Sequence, residues 1–191
     1  MLSTKFDQAL LMAAELHRKQ VRKSTGAPYL THLLAVAVLV LENGGSESAA
    51  IAALLHDAAE DQGGRKTLET IAQNFTMEIA QLVEDLSDSL EDTTGALEKT
   101  DWKERKVSYL KALASHSPDA LLISFCDKFH NLESLVQALE TKKELAWELF
   151  KGKKEGTRWY YQELDQVFST KPLPPYLFNR WKFLLQQIQI S

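Results

Sequence analysis

Apolar residues recur at three- and four-residue spacing along almost the whole chain, and no stretch alternates convincingly with period two. A period near 3.6 buries one face of a helix, whereas a half-buried strand needs alternation, so the pattern confines the chain to an all-α fold. Glycine and proline, 8 and 5 in number, sit at the boundaries of the pattern. Phe6, Leu10, Ala13 and His17 share one face of a first helix, and Ser24-Thr25-Gly26-Ala27-Pro28 interrupts it. Further helices are expected over 31–42, stopped by Asn43-Gly44, and over 48–61, stopped by Gly63-Gly64. Two more, over 67–74 and 76–87, read as a helical hairpin, and the polar stretch 88–100 reads as an irregular loop.

Asp101 caps the next helix, with Glu104 placed to reach back, and that helix ends near Ser115-His116. Ser117-Pro118 supplies a cap and a first-turn proline for a helix over 119–139. Helices over 142–151 and 157–168 follow. Lys171-Pro172-Leu173-Pro174-Pro175 is a stiff connector to a last helix over 176–190, with Leu177, Trp181, Leu184 and Leu185 on one side. The expected architecture is a bundle of about eight to ten helices. It divides into one domain over 1–170 and a connector with a helix over 171–191, which caps the bundle or joins a second subunit. Trp147, Trp159 and Trp181 read as packing residues.

Composition narrows the class. A hydrophobic fraction of 45% and a charged fraction of 25% are ordinary for a globular domain. No apolar run approaches the roughly 20 residues that cross a bilayer, and the first residues do not read as a signal peptide. The lone cysteine, Cys126, has no internal disulfide partner and reads as a small core residue, which fits a reducing, cytoplasmic compartment. Net charge is −4, with 22 basic and 26 acidic residues, so no basic field argues for nucleic acid. An anionic small molecule remains open, because a site can be locally basic on an acidic protein.

Chemistry concentrates in Ala49-Ala50-Ile51-Ala52-Ala53-Leu54-Leu55-His56-Asp57-Ala58-Ala59-Glu60-Asp61. On one continuous helix His56 would lie under Glu60 and Asp57 under Asp61, a compact array of one imidazole and three carboxylates. Acids are disfavoured at a helix C-terminus, and beside Leu54 and Leu55 such an array repels itself unless a cation neutralises it. A divalent metal resolves that; an exposed helix end with ordinary acids is the plain alternative. A metal needs more ligands. His32 follows Pro28-Tyr29-Leu30-Thr31 into an apolar helix and is either a ligand or a satisfied core histidine. Asp127 interrupts Leu121-Leu122-Ile123-Ser124-Phe125-Cys126 and is either a ligand or half of a buried ion pair with Lys128 or an arginine.

His32, His56-Asp57 and Asp127, in that order, resemble the pattern of the HD-domain metal-dependent phosphohydrolases. Gln20-Val21-Arg22-Lys23, Pro28-Tyr29-Leu30-Thr31-His32, Leu54-Leu55-His56-Asp57-Ala58-Ala59-Glu60-Asp61 and Asp127-Lys128-Phe129-His130-Asn131-Leu132 further resemble the hydrolase domain of the stringent-response (Rel/Spo-type) alarmone enzymes. The similarity runs over about residues 5–140 and more loosely to about 168. Gln62 stands where that family usually has Thr, Phe125-Cys126 replaces Leu-Ala, and the turn at 24–27 is short, but the ligand residues are intact.

The resemblance implies a small, stand-alone alarmone hydrolase. It implies Mn²⁺ held by His32, His56, Asp57 and Asp127, although the ligand types suit other divalent transition metals too. Glu60 would handle the proton and Asp61 orient it, or the reverse. The implied reaction is hydrolysis of the 3′-pyrophosphate of guanosine tetra- or pentaphosphate to GDP or GTP and pyrophosphate. Arg22, Lys23 and Ser24 match the loop around the base and ribose, Asn131 the sugar contact, and Lys128 a further substrate contact. From the sequence itself, Lys153 and Tyr160 could hold distal phosphates near a helix start. The alternatives are the same chemistry on adenosine alarmones or another nucleotide, and a metal-stabilised helical binding module without turnover.

Overall fold

The computed structural model describes residues 1–88, 90 and 101–190. Among the described residues lie ten α-helices and one 3-10 segment, and the one β pairing is an isolated bridge between Val21 and Pro28. In chain order the helices are α1 (Thr4–Leu16), α2 (Leu30–Glu42), α3 (Glu47–Leu55), α4 (Ala58–Asp61), α5 (Gly64–Asn74), α6 (Met77–Leu86), α7 (Trp102–Leu113), α8 (Pro118–Lys142), α9 (Lys153–Phe168) and α10 (Pro175–Ile190). The irregular loop expected over 88–100 lies outside the described residues except for Asp88 and Leu90. No described helix is long and apolar enough to cross a membrane.

Local chemistry explains where the helices begin. Ser46, Thr76 and Ser117 each accept a hydrogen bond from the amide three residues on, at 3.0, 3.2 and 3.2 Å. Asp101 accepts from the amides of Lys103 and Glu104. Each such cap is worth about 1 kcal/mol, because it satisfies an amide the helix leaves unpaired.

Two elements differ from the sequence expectation. The helix expected over 48–61 is interrupted: α3 ends at Leu55, His56 and Asp57 form a turn, and α4 is a single turn. Asp57 has φ −93° and ψ −3°, which flattens the helical path there. Gly63, at φ 110°, then closes the turn in a conformation that costs glycine little. The helix expected over 142–151 is instead the end of α8 followed by the 3-10 segment Lys143–Leu149. Lys143 takes φ 54°, which breaks the α-helical path.

Helix α3 is the centre of the bundle. Every residue from Ala49 to His56 is buried, and α1, α2, α6 and α8 surround it. Ala49, Ala50, Ala52 and Ala53 let those neighbours approach closely at ordinary packing density. Helix α8 is the second axis. Its Phe125 meets Phe168 of α9 edge-on at 5.0 Å and Trp181 of α10 at 5.7 Å. Trp181 is fully buried, and its indole donates to Asp165 at 3.0 Å, so α10 lies against α8 and α9.

Truncating Trp181 to Ala should cost about 3–5 kcal/mol, because a buried aromatic leaves a cavity the bundle cannot close; equilibrium denaturation measures it. Burial, reinforced by Asp127, pushes the Cys126 thiol up to about 12, and burial likewise pushes Tyr109 up to about 12. The folded chain therefore keeps protons the unfolded chain releases, and stability should fall as pH rises from about 9 towards 12. Cys126→Ala should flatten that slope, and an unchanged slope would show that the thiol contributes nothing to it.

Candidate metal centre and its cleft

Three helices bring together the four residues read from sequence as ligands. His32 lies in the first turn of α2, His56 and Asp57 form the turn between α3 and α4, and Asp127 lies mid-way along α8. The Nε2 atom of His32 sits 3.1 Å from Asp127 Oδ1 and 3.7 Å from Asp57 Oδ2. The Nε2 atom of His56 sits 3.1 Å from Asp57 Oδ2 and 3.6 Å from Asp127 Oδ1. Two imidazoles and two carboxylates thus aim at one small volume.

The interrupted helix makes this possible. On an unbroken helix, neighbouring residues diverge by 100° and cannot both face one point closely. At this turn His56 lies towards Asp127 and Asp57 towards both histidines, while the Asp61 amide still donates to the Asp57 carbonyl at 3.0 Å. Glu60 Oε1 lies 3.9 Å from Arg105, and Glu60 Oε2 accepts from the Asp88 amide at 3.4 Å. Asp61 accepts from Gln20 at 2.7 Å.

Burial and charge set the protonation states. At His32 burial disfavours the imidazolium and holds the pKa below the usual range. At His56 burial acts the same way, but the carboxylates of Asp57 and Asp127 outweigh it and hold the pKa up. Asp127 is held low despite burial by Lys128, whose ammonium donates to Oδ2 at 2.6 Å, and by the two histidines. Asn131 donates to Asp127 Oδ1 at 2.6 Å. The Tyr29 hydroxyl donates to Asp57 Oδ2 at 2.5 Å, and burial, with Asp57 beside it, raises its pKa far above the ordinary phenol value.

The donor set fits a divalent metal ion. Both Nε2 atoms are buried without a hydrogen-bond partner, an arrangement that costs free energy unless something positive accepts the lone pairs. The ligating atoms of His32, His56 and Asp57 all lie within 4.8 Å of one another. Two imidazoles with two carboxylates suit Mn²⁺, Fe²⁺ or Zn²⁺. The side chain of Asp57, 21% exposed, is the most accessible of the four, against 1%, 2% and 7% for His32, His56 and Asp127.

Tyr29, Lys128 and Asn131, which touch these carboxylates, line a cleft of about 440 Å³. Its wall carries six cations, Arg22, Lys23, Arg105, Lys106, Lys128 and Lys151, with Glu60, Asp61, Ser24, Tyr160 and Tyr161 also facing it. Arg22 is already placed: its guanidinium donates to Asn131 Oδ1 at 2.8 Å and to Ser134 at 3.2 Å, and lies 5.8 Å from the Tyr29 ring centre. The Ser24 carbonyl accepts from Lys142 at 2.6 Å. Lys153, expected to hold distal phosphates, is not in the lining. Its ammonium pairs with Glu148 at 2.5 Å, and its backbone takes φ 51° at the start of α9. Lys151 occupies the wall instead.

Sequence reasoning passed over Gln20, Tyr29, Asp88, Arg105, Lys106 and His130 as site residues. Tyr29 is three before His32 and His130 three after Asp127, so helical spacing was an available signal. Asp88 pairs with both Arg105 and Lys106, a contact no local pattern announces.

The HD domain family profile matches residues 9–151. The chain belongs to the HD-domain family. This HD domain is 30% identical over 178 residues to the mouse guanosine-3′,5′-bis(diphosphate) 3′-pyrophosphohydrolase MESH1, covering 87% of this chain and 94% of that protein. It is 33% identical over 134 residues to the Escherichia coli bifunctional (p)ppGpp synthase/hydrolase SpoT, covering 67% of this chain but 18% of SpoT. The solved structure of a metazoan orthologue of SpoT, described as hydrolysing ppGpp, superposes with a TM-score of 0.75 at 26% identity, covering 98% of this chain and 95% of that one. The HD domain thus spans nearly all of the short mouse relative and less than a fifth of the long bacterial one.

His56→Ala should lower Mn²⁺ affinity by more than the about 10–100-fold that losing an outer partner costs a metal site. Calorimetric Mn²⁺ titration checks it, and unchanged stoichiometry and affinity would remove His56 from the ligand set.

Proposed function

We propose that this HD domain hydrolyses the 3′-pyrophosphate of guanosine tetra- or pentaphosphate, giving GDP or GTP and pyrophosphate, with Mn²⁺ as its metal. What carries the reading is a buried pair of bare imidazole nitrogens facing two carboxylates, beside a cleft walled by six cations. The activities named for the mouse and E. coli relatives supply the substrate class.

His32, His56, Asp57 and Asp127 would hold the ion. When bound, it lowers the pKa of a water and polarises a phosphoryl oxygen. The remaining work falls to the chain's own groups. Asn131 and Lys128 hold Asp127 in register, and Tyr29 holds Asp57. Glu60 faces the cleft near Arg105 and is the group placed to move a proton during attack on phosphorus. Asp61, fixed by Gln20, orients that exchange. Arg105, Lys106 and Lys151 offer charge-assisted hydrogen bonds to the several phosphates of such a substrate. Arg22, Lys23 and Ser24 line the same cleft, with Arg22 over the Tyr29 ring, and are assigned to base and ribose. Tyr160, whose hydroxyl is buried, backs the phosphate wall beneath Lys106. Cytoplasmic residence goes with this substrate.

Glu60→Gln should keep fold and Mn²⁺ content while turnover drops by about 10²–10⁴-fold. Full activity in that variant removes Glu60 from proton transfer. Incubation of the Mn²⁺-loaded protein with guanosine tetraphosphate, its adenosine counterpart and simple nucleotides, with product identification, tests the substrate. Release of pyrophosphate from the guanosine compound is expected. Faster release from the adenosine compound would reassign the base, and metal uptake without turnover on any of them would make the chain a binding module.

A further inference from the structure

His130 has no place in the chemistry described above, yet it touches one of the four candidate ligands directly. Its Nδ1 lies 2.8 Å from Nδ1 of His32, with the two rings 4.9 Å apart and tilted by 35°. Two ring nitrogens at that distance share one hydrogen: one donates and the other accepts. Helical spacing explains the arrangement. Asp127 and His130 are three apart on α8 and share a face, so one stretch of α8 offers a carboxylate to Nε2 of His32 and an imidazole to its Nδ1.

The other candidate ligand is held differently. His56 Nδ1 lies 2.7 Å from the carbonyl of Ala53, and a carbonyl only accepts, so Nδ1 carries a hydrogen and Nε2 is the nitrogen left for a metal. His32 has no such carbonyl. Its tautomer is decided by another ring that could in principle either give or take.

We infer that His130 is a positioning residue that accepts the hydrogen bond from His32 Nδ1, fixing His32 as the tautomer whose Nε2 is free to bind metal. The inference rests on the metal reading above. If Nε2 of His32 is a ligand it carries no hydrogen, so its hydrogen is on Nδ1. His130 Nδ1 must then be bare, and the hydrogen of His130 sits on Nε2. Holding the neighbouring nitrogen this way fixes both the tautomer and the ring plane of a ligand and raises its basicity.

The test compares Mn²⁺ binding by calorimetry in the full-length protein and in two variants. His130→Leu keeps bulk but cannot accept, and His130→Asn places Oδ1 close to where Nδ1 was. His130→Leu should weaken Mn²⁺ binding by about 10–100-fold, and His130→Asn should restore most of it. Long-range ¹⁵N–¹H correlation on the Zn²⁺-loaded protein should show His32 protonated at Nδ1 and His130 at Nε2. Equal Mn²⁺ affinity in wild type and His130→Leu, or a His130 ring protonated at Nδ1, overturns the inference while leaving the metal site in place. Equal weakening by Leu and Asn also overturns it, since only volume would then matter. Wild-type protein that binds neither Mn²⁺ nor Zn²⁺ overturns the metal reading itself.

Discussion

Asp57 and Asp127 place carboxylate oxygens 3.1–3.7 Å from the Nε2 atoms of two almost fully buried histidines, and the rest of the molecule is organised around balancing that charge. Taking ionised groups out of water costs several kcal/mol each unless partners replace the lost solvation. Lys128, Asn131 and Tyr29 supply those partners, and each is fixed by its own element. Lys128 is itself held over the Tyr109 ring, at 4.9 Å, and Tyr109 is bonded to Ser124. A chain of contacts therefore runs from the centre into the core through α7 and α8. A dense, alanine-lined α3 provides the rigid floor.

The break between α3 and α4 falls at His56-Asp57, the pair that faces His32 and Asp127. Glu60 and Asp61 lie at the cleft wall, where Arg105 and Gln20 meet them. Gly63, at φ 110°, lets the chain leave the single turn of α4.

The cleft balances opposite needs. A polyanion calls for many cations, and six line the wall, but cations crowded together repel one another. Asp88 answers part of that repulsion: its side chain is 4% exposed and sits between Arg105 and Lys106, which hold its pKa low despite burial. An overall acidic protein thus presents a locally basic surface, so net charge alone said little about the ligand.

The sequence by itself determined the helical architecture, the caps at Asp101 and Ser117, and the identity of the four residues that converge. Those are consequences of local periodicity, of side chains that bond their own backbone, and of charges placed where an apolar helix cannot tolerate them. Only the tertiary structure decided how those residues face one another. The pairing of Asp88 with Arg105 and Lys106 and the meeting of His130 with His32 depend on contacts between separate segments of the chain. His32 and His130 are 98 residues apart, and no local pattern fixes a distance across that gap. Packing of α2 against α8 fixes it, because the buried faces of both helices admit one close arrangement at interior density.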